Sequence, residues 1–394
     1  MMQSSRLQTD LYRDISIIGI GETTVGRLPG YGPVQLQAWA ALEAIKDAGL
    51  GLADVDGVIN QDPYSTPYSM FALALLEYLG IRPTFATSVN VGGSVTVMSM
   101  LHQAALAISS GHCRYCLVVQ GENMATSRPK GSRGQVLHAR QGGDDYKEPF
   151  GVQGAPVAYA MMANRYFHEY AVTEEDLGLI ALQTRRHALL NPNRQTNAPL
   201  TMDEYRASRY VAEPLRVLDC SLVSDGAGAF LLSSRSDAAR LERRDISIRS
   251  FAMKATHCSV VGAVDFAELG AASAAERCYT QAGVGPKDMD LVLVHDAFTF
   301  SVLVQLDALG FAKPGEAAHL VREGTTALGS RWPLNTHGGL LSQAHCGGIF
   351  HGIEAVRQLR GEAGARQVEG ARHAIWCGNG GVFSVFGSMI FGVN

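Results

Sequence analysis

An internal duplication constrains the fold of this 394-residue chain more than any other feature of its sequence. Residues 48–60 read AGLGLADVDGVIN, and residues 282–294 read AGVGPKDMDLVLV. An alanine-rich stretch typical of a helix precedes each segment, and DISI at 14–17 recurs at 245–248. Alanine-glycine helix ends are common, but a matched order of segments at nearly one offset favours duplication over chance. The pattern of each half therefore predicts, in order, a β-strand, an amphipathic helix that ends in a glycine turn, and a strand rich in β-branched residues.

Further strands and helices follow from the patterns within each half. In the first half we expect a strand over 84–90, a buried helix from Ser94 to Gly111 and a strand over 116–121. In the second half we expect a helix over 348–361, then strands over 373–381 and 382–392. Strands and helices that alternate in a duplicated frame predict the α/β class.

A long segment over 124–225 differs in character from the repeated frame. It is polar and basic at first and then contains two stretches of helical pattern. Inserts of this length usually form binding loops or lids. We therefore expect an N-terminal half over 1–245 that contains this insert, and a C-terminal half over 246–394.

Composition excludes several classes of protein. With 46% hydrophobic and 18% charged residues and 43 glycines, the chain is neither disordered nor a long coiled coil. A formal net charge of −4 gives no electrostatic case for nucleic acid as a partner, and no apolar run is long enough to span a membrane. The N-terminus is polar, with no signal-peptide core, and seven cysteines do not make a disulfide framework. We expect a soluble enzyme of the cytoplasm.

Glycine-rich motifs follow one another along both halves. They are GIGET at 19–23, DCSLVSDGAGA at 219–229, HDAF at 295–298, NTHGG at 335–339, AHCGG at 344–348 and CGNGG at 377–381. One such string would be weak evidence, but the ordered set on a duplicated frame resembles the thiolase superfamily from about Ile15 to Gly392. The similarity is to thiolases of the sterol-carrier-protein type and to thiolase-like acyl-CoA aldolases.

This resemblance implies a thiolase fold, with a five-layered αβαβα core, and acyl-coenzyme A substrates. Coenzyme A would enter as part of the substrate, and no cofactor would be bound covalently. The resemblance also implies a homodimer formed through the sheet of the first half. Some relatives act together with a small zinc-ribbon/OB-fold partner protein that holds the acyl-CoA. The resemblance implies such a partner for this chain too.

The nucleophilic cysteine of true thiolases is missing. In the family it lies at the start of the buried helix, where amide N–H groups and the helix dipole favour a thiolate. Here residues 90–96 read NVGGSVT, so that Gly93 or Ser94 occupies its place. Ser94 could carry an acyl group, but it is also the residue type expected to cap the helix N-terminus.

Two histidines carry the remaining catalytic expectations. The resemblance makes His345 the general acid or base, although a buried, hydrogen-bonded core histidine is the alternative. His295 directly follows the strand LVLV, at the end of a sheet strand where ligands bind, and is expected to be an oxyanion donor or base. Asp296 could orient His295 or cap the next helix, and Asn335 and Gly380 are expected to contribute to the oxyanion site or its orientation.

Cysteines offer weaker candidates. Cys377 stands where the family has a second cysteine that acts as acid or base, although most free cysteines are small buried hydrophobes. Cys346 beside His345 is an additional thiol. Cys113 and Cys116 form a CxxC pair, but no second pair stands at zinc-site spacing, so we expect no metal.

Basic residues cluster at the start of the insert. They are Arg128, Lys130, Arg133 and Arg140. They could bind the phosphates of coenzyme A, and a solvated loop surface is the alternative explanation.

Losing the nucleophile while keeping both histidines favours retro-aldol cleavage of a β-hydroxyacyl-CoA. This reaction needs a base and an oxyanion site but no acyl-enzyme. Two alternatives stay open: an acyltransferase of the thiolase type that uses another nucleophile such as Ser94, and a non-catalytic acyl-CoA- or lipid-binding subunit. Steroid degradation is one metabolic setting that the resemblance suggests.

Overall fold

The computed structural model describes residues 11–66, 68–127, 143–152, 154–241, 245–263 and 269–394. Its strands are β1 (Ile15–Glu22), β2 (Gly57–Asn60), β3 (Phe85–Ser88), β4 (Tyr115–Asn123), β5 (Tyr210–Ala212), β6 (Leu215–Arg216), β7 (Asp225–Ser234), β8 (Ile246–Ala255), β9 (Leu291–Val294), β10 (His373–Gly380) and β11 (Val385–Val393). Its helices are α1 (Pro33–Asp47), α2 (Phe71–Leu79), α3 (Gly93–Ser109), α4 (Met124–Ser127), α5 (Asp144–Lys147), α6 (Gly154–Glu169), α7 (Glu174–Leu189), α8 (Met202–Ala207), α9 (Arg235–Ala238), α10 (Ala271–Ala282), α11 (Thr299–Ala308), α12 (Ala317–Arg322) and α13 (Ile349–Arg360).

The two large sheets repeat one topology. The first has the strand order β1-β7-β4-β2-β3 and the second has the order β8-β11-β10-β9. In each, the strand that closes the half (β7 or β11) runs antiparallel to both neighbours, and the two strands beyond it are parallel to each other. The second sheet matches the first four strands of the first sheet, and β3 has no counterpart among the described residues of the second half. The predicted duplication is therefore confirmed.

Glycines end the repeated helices as the sequence predicts. After α1 and α10, Gly49 and Gly283 have φ of 71° and 69°, the left-handed region that glycine adopts without strain. A short 3-10 turn then leads into β2 in the first half and β9 in the second. The strand expected over 84–90 and the helix expected from Ser94 are also present, as β3 and α3.

The helices divide the molecule into five layers. Helices α3 and α13 share one apolar cluster with the inner faces of both sheets. Helices α1 and α2 cover the outer face of the first sheet, while α10 and α11 cover that of the second. The predicted αβαβα order of layers is confirmed. Helix α3 can lie buried between the two sheets because most of its residues are small or apolar.

The insert packs mainly on the second half. Helices α6 and α7 contribute to the cluster on the outer face of the second sheet. A buried Asp176 in α7 is held by Arg322 of α12 at 2.6 Å. Among the residues that the structure describes, no helix is both long and apolar enough to cross a membrane.

Candidate active site

A serine and a histidine from the two halves meet at the centre of the molecule. Ser94 lies in the first turn of α3, and His295 directly follows β9. The Ser94 hydroxyl is hydrogen-bonded to Nδ1 of His295, and the two residues are 0% and 4% exposed. The His295 backbone N–H donates to the Cys377 carbonyl at 3.0 Å and to Gln305 Oε1 at 3.1 Å, which fixes the end of the strand.

Ser94 is enclosed by glycines. A Cβ atom placed on Gly348 would lie 2.7 Å from the Ser94 Cβ, and one on Gly378 would lie 3.2 Å from it. Ser94 does not cap its helix, because α3 begins at Gly93 after the capping position Gly92. Its hydroxyl is therefore directed at His295, with little space for any larger group.

Gly93 stands at the position where the family carries its nucleophile when the chain is aligned on the glycine pair. Its φ is 48°, and a Cβ atom built there would lie 2.0 Å from the backbone oxygen of Asn379. Gly380 packs equally closely, since a Cβ there would lie 2.4 Å from the Gly92 carbonyl. Gly380 therefore allows its backbone to pack closely against the start of α3. At position 93 the neighbouring backbone leaves no space for a cysteine side chain.

His345 is the second imidazole of the site and is half-buried. It follows a π-helical turn over Gly339–Gln343. Its Nδ1 lies 2.9 Å from the Ser221 hydroxyl, and its backbone N–H donates to Ser224 Oγ at 2.9 Å. Both serines belong to the DCSLVSDGAGA motif, to whose members sequence reasoning had assigned no role.

The two histidines lie side by side. The ring centroids of His295 and His345 are 6.0 Å apart and their planes are inclined at 81°. Burial, together with the positive charges that His345 and His351 can carry, holds the pKa of His295 well below its usual value. His295 is therefore neutral at physiological pH and suited to donate a hydrogen bond from its ring rather than to accept a proton.

Asp296 directly follows His295 in the chain, but its carboxylate is held by other partners. Its carboxylate accepts a hydrogen bond from the Leu340 N–H at 2.8 Å and lies 3.1 Å from Nε2 of His351 in α13. A Cβ on Gly339 would lie 1.9 Å from this carboxylate, so the turn before His345 closes directly onto it. Asp296 thus holds the turn that leads to His345, and it neither contacts His295 nor caps α11, whose capping position is Phe298.

Asn335 also acts on the backbone. Its side-chain amide accepts from the Val294 N–H at 2.9 Å and donates to the Val294 carbonyl at 3.0 Å, in the manner of a neighbouring strand. The residue adopts a φ of 44°, which asparagine tolerates. Asn335 therefore orients the strand end that carries His295 rather than presenting its amide to a substrate.

Cys377 lies on the opposite face of its sheet from Ser94. It packs in the outer cluster with Ile375 and Val294, and burial raises its pKa to about 12. The residue of β10 that faces Ser94 is its neighbour Gly378. The structure therefore does not bring the Cys377 thiol to the site.

The three other cysteines singled out in the sequence, Cys113, Cys116 and Cys346, are buried as well. Cys346 lies in the central cluster, and burial raises its pKa well above the usual value, so the thiol stays protonated. Cys113 and Cys116 pack in the same cluster. Within the described ranges, no three His, Cys, Asp or Glu side chains lie together as a metal site would require.

The four residues predicted to bind phosphate lie in a part of the chain that the structure does not describe. Arg128, Lys130, Arg133 and Arg140 all fall within 128–142, outside the described residues. The prediction that they bind phosphate stays a prediction.

The comparisons with known proteins agree with this fold. The chain matches the family models described as "Thiolase, N-terminal domain" over residues 15–236 and "Thiolase C-terminal domain-like" over residues 252–393. These two matches span both sheets.

Curated relatives cover almost the whole chain. One is the 17-hydroxy-3-oxo-4-pregnene-20-carboxyl-CoA lyase of Mycobacterium tuberculosis, which is 31% identical over 383 residues, 93% of this chain and 96% of that protein. Another is the acetyl-CoA acetyltransferase of Methanothermobacter thermautotrophicus, 30% identical over 378 residues, 91% of this chain and 94% of that protein. Among solved structures, the one titled Ltp2-ChsH2(DUF35) aldolase aligns with a TM-score of 0.87 at 30% identity, covering 97% of this chain and 98% of that one.

Proposed function

The chain belongs to the thiolase superfamily, and we propose that within it the protein is an acyl-CoA aldolase. Its reaction would be retro-aldol cleavage of the Cα–Cβ bond of a β-hydroxyacyl-CoA thioester. The observation that carries the proposal is Gly93, where a Cβ atom would lie 2.0 Å from a backbone oxygen, so that no cysteine nucleophile fits. The similarity to one protein named a lyase and one titled an aldolase supports it.

His345 is the base in this proposal. It is more exposed than His295, and the neighbouring Ser221 hydroxyl can accept its Nδ1 proton, so that in this tautomer Nε2 is the nitrogen able to take a proton. The base takes the proton of the β-hydroxyl group. The oxygen then forms a carbonyl as the Cα–Cβ bond breaks, and the bonding electron pair moves onto the thioester as an enolate.

His295 holds the negative charge that develops on the thioester oxygen. When the Ser94 hydroxyl donates to Nδ1, the single ring proton of the neutral imidazole sits on Nε2. A neutral donor in a buried site stabilises an oxyanion strongly, because no water competes. His345 finally returns its proton to Cα, which releases a shorter acyl-CoA and an aldehyde or ketone.

The enclosure of Ser94 argues against an acyl-serine intermediate. Ser94 is fully buried, and the glycine backbones at 348 and 378 lie close to its Cβ. An acyl group on its oxygen would have to displace the His295 ring or these backbones. Ser94 is therefore a positioning residue for His295 in this proposal.

The decisive experiment compares two substrates. The purified protein is incubated with a β-hydroxyacyl-CoA and with the matching β-ketoacyl-CoA, each with and without free coenzyme A. Steroid side-chain thioesters are the first choice, given the name of the lyase relative. Cleavage of the hydroxy compound without free coenzyme A supports the aldolase. Cleavage of the keto compound alone, dependent on free coenzyme A, would instead support the acyltransferase that one relative is named for.

We further propose that two copies of the chain pair through β3. This strand lies at the edge of the first sheet, where backbone N–H and C=O groups can accept another strand. Exposed apolar side chains lie on and around α2, which follows β2 in the same half: Tyr68, Met70, Leu73 and Tyr78. Sedimentation should give a dimer mass for the wild type and a monomer mass after Leu73→Glu with Tyr78→Glu.

A small partner subunit is the last element of the proposal. The aligned aldolase structure is titled with a second component, ChsH2(DUF35), in line with the zinc-ribbon/OB-fold partner implied by the family resemblance. We propose that this chain works with such a subunit. Cleavage should be measured for the chain alone and after co-purification with a DUF35 protein, and full activity of the chain alone would contradict the requirement.

A further inference from the structure

His351 is a fully buried histidine that the mechanism above does not use. Its Nδ1 lies 3.2 Å from the Gly348 carbonyl oxygen, and its Nε2 lies 3.1 Å from Asp296 Oδ1. Both His351 and Asp296 are 0% exposed. The backbone carbonyl can only accept a hydrogen bond, and so can the carboxylate when it is ionised.

The number of protons follows from these contacts. A neutral imidazole carries one N–H and can satisfy one acceptor, so the second contact requires a proton either on His351 or on Asp296. Asp296 already accepts from the Leu340 N–H at 2.8 Å, and the Leu341 N–H approaches its other oxygen at 3.4 Å. Amide donors favour the ionised carboxylate, so the shared proton stays on the ring.

We infer that His351 is held as a doubly protonated imidazolium that cancels the charge of Asp296 and thereby keeps His295 neutral. His351 is then a positioning residue for the oxyanion donor. The protonation of His351 does not depend on the aldolase reaction. Only its consequence for turnover rests on the proposed function.

The geometry connects this ion pair to His295. Asp296 is the next residue along the chain, and the rings of His351 and His295 are nearly parallel at 25°, with centroids 6.4 Å apart. A lone carboxylate beside His295 would favour a second proton on its ring, whereas a paired one does not.

The other groups that face His351 do not supply the charge. The ring of His337, in the NTHGG turn, lies with its centroid 4.7 Å from that of His351, and burial holds its pKa well below the usual value. The indole of Trp376 in β10 is parallel to the His351 ring at 6.4 Å and is uncharged. The ring of His295, 6.4 Å away, is neutral too.

Nitrogen NMR of the histidine side chains tests the protonation state directly. The full-length protein is labelled with ¹⁵N-histidine, and His351→Gln assigns the resonances of residue 351. Both ring nitrogens should show the shift of protonated nitrogens under the conditions of the activity assay. An unprotonated nitrogen on His351 under these conditions would overturn the inference, whether or not the protein cleaves any thioester.

A mutant cycle read by the same spectra tests the effect on His295. His351→Gln leaves the Asp296 carboxylate uncancelled and should raise the titration midpoint of His295 by about one to two pH units. The double variant with Asp296→Asn should return the midpoint to its low value. His337→Phe, the matched control, removes a buried histidine of the same cluster and should leave it unchanged. If His351→Gln moved nothing, or His337→Phe moved it equally, the charge cancellation would be refuted.

Discussion

Gly93 gives the most specific prediction about why this site lacks a nucleophile. Replacing Gly93 by alanine adds a Cβ atom 2.0 Å from the Asn379 oxygen and forces a non-glycine residue to a φ of 48°. The left-handed conformation costs about 1–2 kcal/mol. Overpacking against the backbone adds about 1–3 kcal/mol, so Gly93→Ala should lower the free energy of unfolding by about 2–5 kcal/mol in total.

Gly111, just past the other end of α3, is the matched control. Its φ is 75°, but a Cβ there would meet no atom within 4 Å. Gly111→Ala should therefore cost only the conformational part, about 1–2 kcal/mol. Urea unfolding curves of the three proteins measure the difference. Equal losses for the two variants would refute the claim that the backbone at 93 excludes a side chain.

Four further predictions concern activity and pH. His345→Gln should lower kcat for retro-aldol cleavage by about 10²–10⁴-fold with little change in KM, because it removes the base; a smaller loss in steady-state assays would assign the base elsewhere. His295→Gln should lower kcat by about 10²–10³-fold through loss of the oxyanion donor, and wild-type rates would exclude that role. Cys377→Ala should leave kcat/KM within about threefold of the wild-type value, because the thiol faces the opposite side of the sheet. A larger loss would show that the cysteine takes part in the reaction. Burial raises the pKa of Asp219 to about 6, so between about pH 4 and 6 the folded protein binds more protons than the unfolded one. The free energy of unfolding should therefore fall as pH rises through this window. Urea midpoints measured across it should show the trend in the wild type and not in Asp219→Asn.

Much of the fold could be read from local patterns. The repeats at 48–60 and 282–294 placed two helix ends and two strands correctly, because glycine turns and β-branched strands depend on neighbours in sequence. The buried helix α3 followed from a run with no polar face. The layer order came from the family resemblance rather than from any local signal.

The site was harder to predict, because it depends on single-residue register. Cys377 and Gly378 are adjacent in β10, yet only Gly378 faces Ser94, and a one-residue shift in a strand exchanges the two faces. Asp296 also differs from the expectation, because it directly follows His295 but its carboxylate contacts His351 instead.

Contacts across the duplicated halves left almost no signal in the sequence. Ser221 and His345 are more than a hundred residues apart and meet only after both sheets have packed on the central helices. His351 lies six residues beyond His345 in a largely buried helix, where a buried core histidine is the ordinary expectation. The DCSLVSDGAGA motif was the one available signal, since its serines stand out in a glycine-rich turn.

A single-turnover reaction without free coenzyme A decides whether the site cleaves by an aldol step. Excess protein is mixed with one β-hydroxyacyl-CoA, and both the intact protein mass and the small-molecule products are followed by mass spectrometry. We predict one carbonyl product and one shorter acyl-CoA for each substrate consumed, with the protein mass unchanged throughout. An acyl adduct on the protein, or no cleavage until free coenzyme A is added, would contradict this mechanism.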